Sequence, residues 1–253
     1  MTDTNARVRE YWDTHIHDLE ISSHPPGSPG FFADLDDYHF DKLHHLLRLV
    51  PFDGMKGRTV LDVGCGAGVD LLRFAKGGAI ATGVDISASA IELARKNAAY
   101  QGLDVELRVA DAERLPFEDG AFDLVFAHGV IQYSNDTERV VDECRRVLKP
   151  GGEAIFQAYN RHSWLNALSK LMRVGLEHEG APVLRKFSPA EFTRMLGGFS
   201  SVRVVYERFP VKSRLHKGWK GTLFNTFFVG TFNALPRAMV RRFGWHLLAF
   251  CRK

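Results

Sequence analysis

Nine residues, Val60-Leu61-Asp62-Val63-Gly64-Cys65-Gly66-Ala67-Gly68, carry the strongest chemical signal in the chain. The first four read as a buried strand that runs into glycines at two-residue spacing. Gly64, Gly66 and Gly68 allow close approach of a ligand and φ > 0 where a side chain would clash. The helix expected over Val69 to Lys76 then aims its free N–H groups at whatever lies on the turn. Strand, glycine turn and helix in this order make a site for a nucleotide-type cofactor. A dinucleotide site uses G-x-G-x-x-G. Here the third such glycine would fall on Val69, which disfavours an NAD-dependent dehydrogenase. Asp85 closes the next expected strand, Ile80 to Asp85, 17 residues after Gly68. It is placed to accept hydrogen bonds from both hydroxyls of a ribose lying across the first strand. His128 follows the strand expected over Phe122 to Ala127, so it faces the crevice at the strand ends, where an imidazole can act as a general base.

Glycines spaced G-x-G-x-G with Asp62 two residues ahead resemble motif I of the class I S-adenosylmethionine-dependent methyltransferases. Three more features fall in register between Val60 and Tyr159: the strand-end acid Asp85, Asp111 with the following LPFEDGAFDLVF, and the turn Leu148-Lys149-Pro150-Gly151-Gly152. The resemblance implies an α/β, Rossmann-like fold. Its seven-stranded, mostly parallel sheet would end in an antiparallel strand, with helices on both faces, an N-terminal lid and C-terminal cap insertions. It further implies S-adenosylmethionine as cofactor and S-adenosylhomocysteine as product. Asp62, Gly64, Cys65, Gly66 and Gly68 would hold it from the first loop, and Asp85 and Ile86 from the second. Asp111 and the N–H of Ala112 would take the adenine edge, with His128 completing the set. A carboxylate suits the adenine amine because it only accepts hydrogen bonds. The similarity is closest to the ubiquinone and menaquinone methyltransferase branch. Those enzymes commonly carry paired histidines after the fourth strand, where this chain has Gln132-Tyr133, so the quinone substrate does not transfer with the resemblance.

The elements that would position these residues alternate regularly from Val60 onward, as in a parallel sheet covered on both faces. Ser87 N-caps a helix over Ala88 to Tyr100, a third strand spans Val105 to Val109, and Asp119-Gly120 makes a turn. A helix over Ser134 to Leu148 buries Val140, Val141, Cys144, Val147 and Leu148, and a fifth strand covers Glu153 to Tyr159. Ahead of this core, Arg7 to Leu19 reads as a helix, SHPPGSPG as a break, and Phe31 to Val50 as one amphipathic helix or a broken pair. After the core come an inserted helix over Trp164 to Leu176, a helix from Ser188-Pro189-Ala190-Glu191 to Leu196, and a sixth strand over Ser201 to Phe209. The last strand covers Gly244 to Lys253. This gives residues 1–50 as a helical lid and 51–160 as the cofactor-binding core. Residues 161–253 supply the rest of the core, with acceptor-cap insertions at 161–187 and 211–243.

Tyr11, Trp12 and Tyr38 in the lid and Tyr133 and Tyr159 at strand ends are the acceptor-binding candidates, with His162, His178 and Glu179 as weaker ones. The 253 residues include three scattered cysteines, Cys65, Cys144 and Cys251, with neither disulfide nor metal spacing. That pattern, with a polar start, predicts a cytoplasmic protein and no metal site. Net charge is +3, yet the stretch from Arg203 onward carries eleven Lys/Arg against Glu207 alone. Within it, Phe224, Phe227, Phe228, Phe232 and Leu235 share one helical face between basic flanks. The apolar part is short of the ~20 residues that span a bilayer, and suits a pocket cap, a dimer contact or peripheral membrane contact.

The reading is a methyltransferase that moves a methyl group to a small-molecule acceptor by in-line displacement. Oxygen is the expected acceptor atom, with carbon, nitrogen and sulfur open, in a monomer or homodimer that uses no nucleic acid. The alternatives are a nucleic-acid or lipid-surface methyltransferase using the basic C-terminal region, and a non-catalytic S-adenosylmethionine-binding protein.

Overall fold

The computed structural model describes residues 3–15, 19–172, 178–209, 222, 226, 229–236 and 240–253. In chain order its elements open with helices α1 (Asp3–Thr14), α2 (Pro29–Lys42) and α3 (His45–Leu49). Strand and helix then alternate through β1 (Thr59–Val63), α4 (Val69–Lys76), β2 (Ile80–Asp85), α5 (Ala88–Gln101) and β3 (Glu106–Val109). Next come β4 (Phe122–Ala127), α6 (Thr137–Val147), β5 (Leu148–Tyr159), α7 (Trp164–Met172) and α8 (Pro189–Met195). The described chain closes with β6 (Ser201–Glu207), α9 (Val229–Ala234) and β7 (His246–Arg252).

One seven-stranded sheet has the order β3-β2-β1-β4-β5-β7-β6. Its strands are parallel except β7, which is wedged antiparallel between β5 and β6. Side chains alternate across the pleat, so neighbours on β1 serve opposite layers. Leu61 and Val63 pack with Val140, Cys144, Phe192 and Leu247 beneath α6 and α8. Val60 packs with Phe40, Leu46, Phe52 and Phe74 on the other face. The chain reverses its winding between β1 and β4, and the crevice at such a switch point is where open sheets bind ligands.

Local chemistry explains where elements stop. Ser87 caps α5 by accepting from Ala90 N, and Gly102 ends that helix with φ 65°. The stretch expected as one helix or two is two, α2 and α3, parted at Leu43, with Ser28 and Pro29 starting α2. Several boundaries differ from those the sequence suggests. α1 covers Asp3–Thr14 instead of Arg7 to Leu19; Thr14 Oγ1 bonds back to Glu10 O and Tyr11 O at its end. α6 begins at Thr137 instead of Ser134, because Asp136 is the cap that accepts from Arg139 N. β5 already starts at Leu148. β6 stops at Glu207, two residues early, because Arg208 turns to φ 56°.

The expected amphipathic face at Phe224, Phe227 and Phe228 lies outside the described residues, as does the end of the expected helix beyond Met172. Within that region Phe232 sits against Trp164 and Phe209, with ring centroids 6.1 and 6.3 Å apart. Among the described residues no helix is long and apolar enough to cross a membrane.

Candidate functional site

Three short loops at the ends of β1, β2 and β3 build one end of a cavity. Gly64 N and Cys65 N both donate to Val84 O, at 2.7 and 3.0 Å, which folds the first loop onto β2. Gly64 has φ 70°, and a Cβ there would lie 2.2 Å from Val130 Cγ2. Only glycine fits. Asp85 then ties the loops together: Oδ2 accepts from Gly66 N and Oδ1 from Ser87 N, each at 2.9 Å. Burial raises the Asp85 carboxyl above its ordinary range, while these two amides pull it back down. Each carboxylate oxygen has room for a second donor.

A roof is supplied by α1. Asn5 Nδ2 donates to Asp111 Oδ2 at 3.1 Å and to Glu113 Oε2 at 2.9 Å. Near the helix's other end, Ser87 Oγ donates to Asp13 Oδ1 at 2.8 Å. Asn5, Val8 and Trp12 recur at three- and four-residue steps and line the cavity together, as one helical face must.

At the other end stand histidines and aromatic rings. His128 Nδ1 lies 3.5 Å from Asp70 Oδ2, and His39 Nε2 lies 3.1 Å from Asp70 Oδ1. Burial would raise the Asp70 carboxyl, but the two imidazoles overcome it and hold it well below the usual range. Trp12 meets Tyr133 edge-on at 4.9 Å, and the hydroxyls of Tyr133 and Tyr159 are 3.1 Å apart. Tyr159 stacks on Trp245 at 4.4 Å and pairs across the sheet with His246.

Gly64, Cys65, Gly66, Asp85, Ile86, Asp111, Ala112 and His128 all line this single cavity, with Trp12, Tyr133 and Tyr159. Four of the candidates from sequence do not. Asp62 lies beneath the loop, buried, its carboxyl pushed well up by burial and then by Asp70 and Asp85, and it accepts from the Leu71 amide. Gly68 caps α4 with φ 82°. Tyr11 sits behind Trp12, stacked on His15 at 4.2 Å. Tyr38 turns away from the α2 face of Leu35, His39, Lys42 and Leu43, with Lys42 Nζ 5.1 Å from its ring centre. Of the weaker candidates, His178 lines the cavity, while His162 and Glu179 do not.

Sequence reasoning missed Asn5, His39, Asp70, Gln157, Arg208 and His246, which also line it. Polar residues on the apolar faces of α1 and α2 were the available signal for Asn5 and His39. Nothing local marks Arg208 or His246. The sequence shows no metal-ligand spacing, yet the donor atoms of His39, Asp70 and His128 fall within 4.8 Å of one another, a set that a divalent ion could use.

Residues 61–156 match the family model described as "Methyltransferase domain". The ubiquinone biosynthesis O-methyltransferase of Coxiella burnetii is 38% identical over 108 residues, which cover 43% of this chain and 46% of that protein. The match thus spans about half the length of that curated relative. An S-adenosylmethionine-dependent methyltransferase of Thermotoga maritima shares the fold with a TM-score of 0.63 at 22% identity, covering 97% of this chain and 99% of the other. Magnesium protoporphyrin IX methyltransferase from Synechocystis PCC 6803, solved with bound S-adenosylhomocysteine, shares it at 0.63 and 15% identity, covering 98% and 99%.

Proposed function

We propose that this chain, whose residues 61–156 match a methyltransferase family model, is a class I S-adenosylmethionine-dependent methyltransferase resembling the ubiquinone group and methylates a hydroxyl oxygen of a small-molecule acceptor. The observation that carries this reading is the single cavity that runs from the glycine loop and Asp85 to His128 and its Asp70 partner.

The residues present fit the cofactor. A Cβ at Gly64 would fill the cradle, and Asp85 keeps acceptor capacity for two ribose hydroxyls. Asp111 and the Ala112 N–H would take the adenine edge, with Cys65 and Ile86 as walls. Bound there, S-adenosylmethionine supplies a methyl group already activated by its sulfonium.

The chain's own tasks are then to orient the acceptor, exclude water and accept a proton. Orientation by Trp12, Tyr133 and Tyr159 can lower the barrier by ~7–11 kcal/mol. His128 takes the hydroxyl proton, a contribution of roughly 10²–10⁴-fold. Asp70 faces Nδ1, so Nε2 is the nitrogen that receives the proton, and the carboxylate stabilises the imidazolium that forms.

The direct test is to incubate the protein with methyl-labelled S-adenosylmethionine and a panel of phenols, catechols, amines and thiols, and locate the label by mass spectrometry. Label in a methyl ether supports the reading. Label confined to nitrogen, sulfur or carbon would contradict the assignment to oxygen.

A further inference from the structure

Among the described residues, His178 and Arg208 are the two non-glycine positions with φ > 0, at 55° and 56°, and both line the cavity. Such backbone is uncommon and persists where surrounding structure holds it in place. At Arg208 the restraint is visible: its carbonyl accepts from Trp164 Nε1 and from Trp245 N, both at 3.2 Å. The turn breaks β6 and delivers the guanidinium to His246, with Nη1 3.2 Å from His246 Nε2.

That contact fixes the state of the histidine. A guanidinium only donates, so Nε2 accepts and the neutral ring carries its proton on Nδ1. His246 is 2% exposed, and its Nδ1 has no hydrogen-bond partner among the described residues. A buried N–H without a partner forfeits its hydrogen bond to water with nothing in return, so a site of this kind is complete only when something accepts from it. The ring lies 5.8 Å from that of His128 and 5.8 Å from that of Tyr159. Lys42 lines the same end. The acids of the cavity are placed elsewhere: Asp85, Asp111 and Glu113 bind the loops and α1, and Asp70 faces two imidazoles. Beyond His128 the cavity is lined by Arg208, Lys42 and His246, next to an aromatic wall of Trp12, Tyr133 and Tyr159.

We infer that the acceptor carries a carboxylate, seated on Arg208 and the Nδ1–H of His246 beside the hydroxyl that His128 serves, so that the acceptor class is a hydroxy-substituted aromatic acid. This rests on the methyltransferase reading. A carboxylate is an acceptor-only group with several lone-pair sites, which matches this donor set, and a flat ring matches the wall.

The experiment is calorimetric titration of the protein, first with S-adenosylhomocysteine and then, once saturated, with 3,4-dihydroxybenzoate and separately with 3,4-dihydroxybenzamide. The acid should bind at least ten-fold more tightly than the amide, which has the same ring and hydroxyls without the charge. Arg208→Asn, chosen because Asn tolerates the left-handed backbone, should erase that preference and leave the first titration unchanged. Equal binding of acid and amide, binding of neither, or a full preference in Arg208→Asn would overturn the inference. The acid-to-amide ratio of the unaltered protein decides the matter even where the variant does not fold. Failure of S-adenosylhomocysteine itself to bind would instead sink the methyltransferase reading on which this rests.

Discussion

The two ends of the cavity are made by different means. At the glycine-loop end, the groups come from a few contiguous stretches held together by backbone: the amides of Gly64 and Cys65 donate to Val84 O, those of Gly66 and Ser87 to Asp85, and that of Glu113 to Asp111. At the other end, where the acceptor is proposed to sit, side chains line the cavity, and they arrive from α1, α2, α4, β5, β7 and the turns after β4 and β6. Backbone held by a strand and a glycine turn recognises what every member of a cofactor class shares. Side chains drawn from distant elements can be exchanged one at a time, which is how a common frame comes to serve different acceptors.

Substitutions that strike one end and spare the other put this division to the test. The largest effect should come from His128→Gln, which is expected to lower turnover by about 10²–10⁴-fold with S-adenosylhomocysteine affinity unchanged. Asp70→Asn should cause a smaller loss of the same kind. Turnover and calorimetry measured side by side check this; a parallel fall in cofactor affinity would move His128 to the other end. Next, Asp85→Ala should weaken S-adenosylhomocysteine binding by about 1–3 kcal/mol, because the amides of Gly66 and Ser87 lose their acceptor along with the ribose. Unaltered affinity by calorimetry would remove Asp85 from the site.

A pH effect follows from two buried imidazoles at the acceptor side. Burial, and then the positive neighbours, lowers His45 to about 3 and His246 well below its ordinary value. The unfolded chain takes up these protons near pH 6.5 while the folded chain does not, so these two groups lower stability as pH drops below 6.5, against an opposite contribution from the raised Asp62 carboxyl. The slope is about 1.4 kcal/mol per pH unit for each group. Urea midpoints between pH 7.5 and 4.5 measure this, and His45→Phe should flatten the profile by one proton. The smallest effect concerns metal. The 3.1 Å contact of His39 with Asp70 is a hydrogen-bond distance, so a chelator should leave turnover unchanged. A loss restored by Mg²⁺ or Mn²⁺ would make His39, Asp70 and His128 ligands.

How much could be read beforehand follows the same division. The strands and the turns between them were legible because each is encoded within a few residues, as at Val60 to Gly68, Ser87 and the Leu148 to Gly152 turn, whereas the antiparallel β7 was expected only through the resemblance to class I methyltransferases. The loops that line the cofactor end were legible for the same reason. Asp62 and Gly68 belong to that motif yet serve it from below, one holding the start of α4 and one capping it. Helical phase separated the lid aromatics: Trp12 shares a face with Asn5 and Val8, and Tyr11, one residue earlier, does not. Arg208 and His246 stood out of reach. Their meeting depends on an antiparallel register in which Glu207 faces His246 and on a turn locked by two tryptophans. No spacing along the chain encodes that.

Titration of the purified protein with S-adenosylhomocysteine and, separately, NAD addresses the central claim directly. Micromolar binding of S-adenosylhomocysteine with none of NAD is the expected outcome, since Val69 stands where a dinucleotide loop needs glycine. Binding of NAD with no response to S-adenosylhomocysteine would contradict the reading of the loop from Val60 to Gly68 and everything built on it.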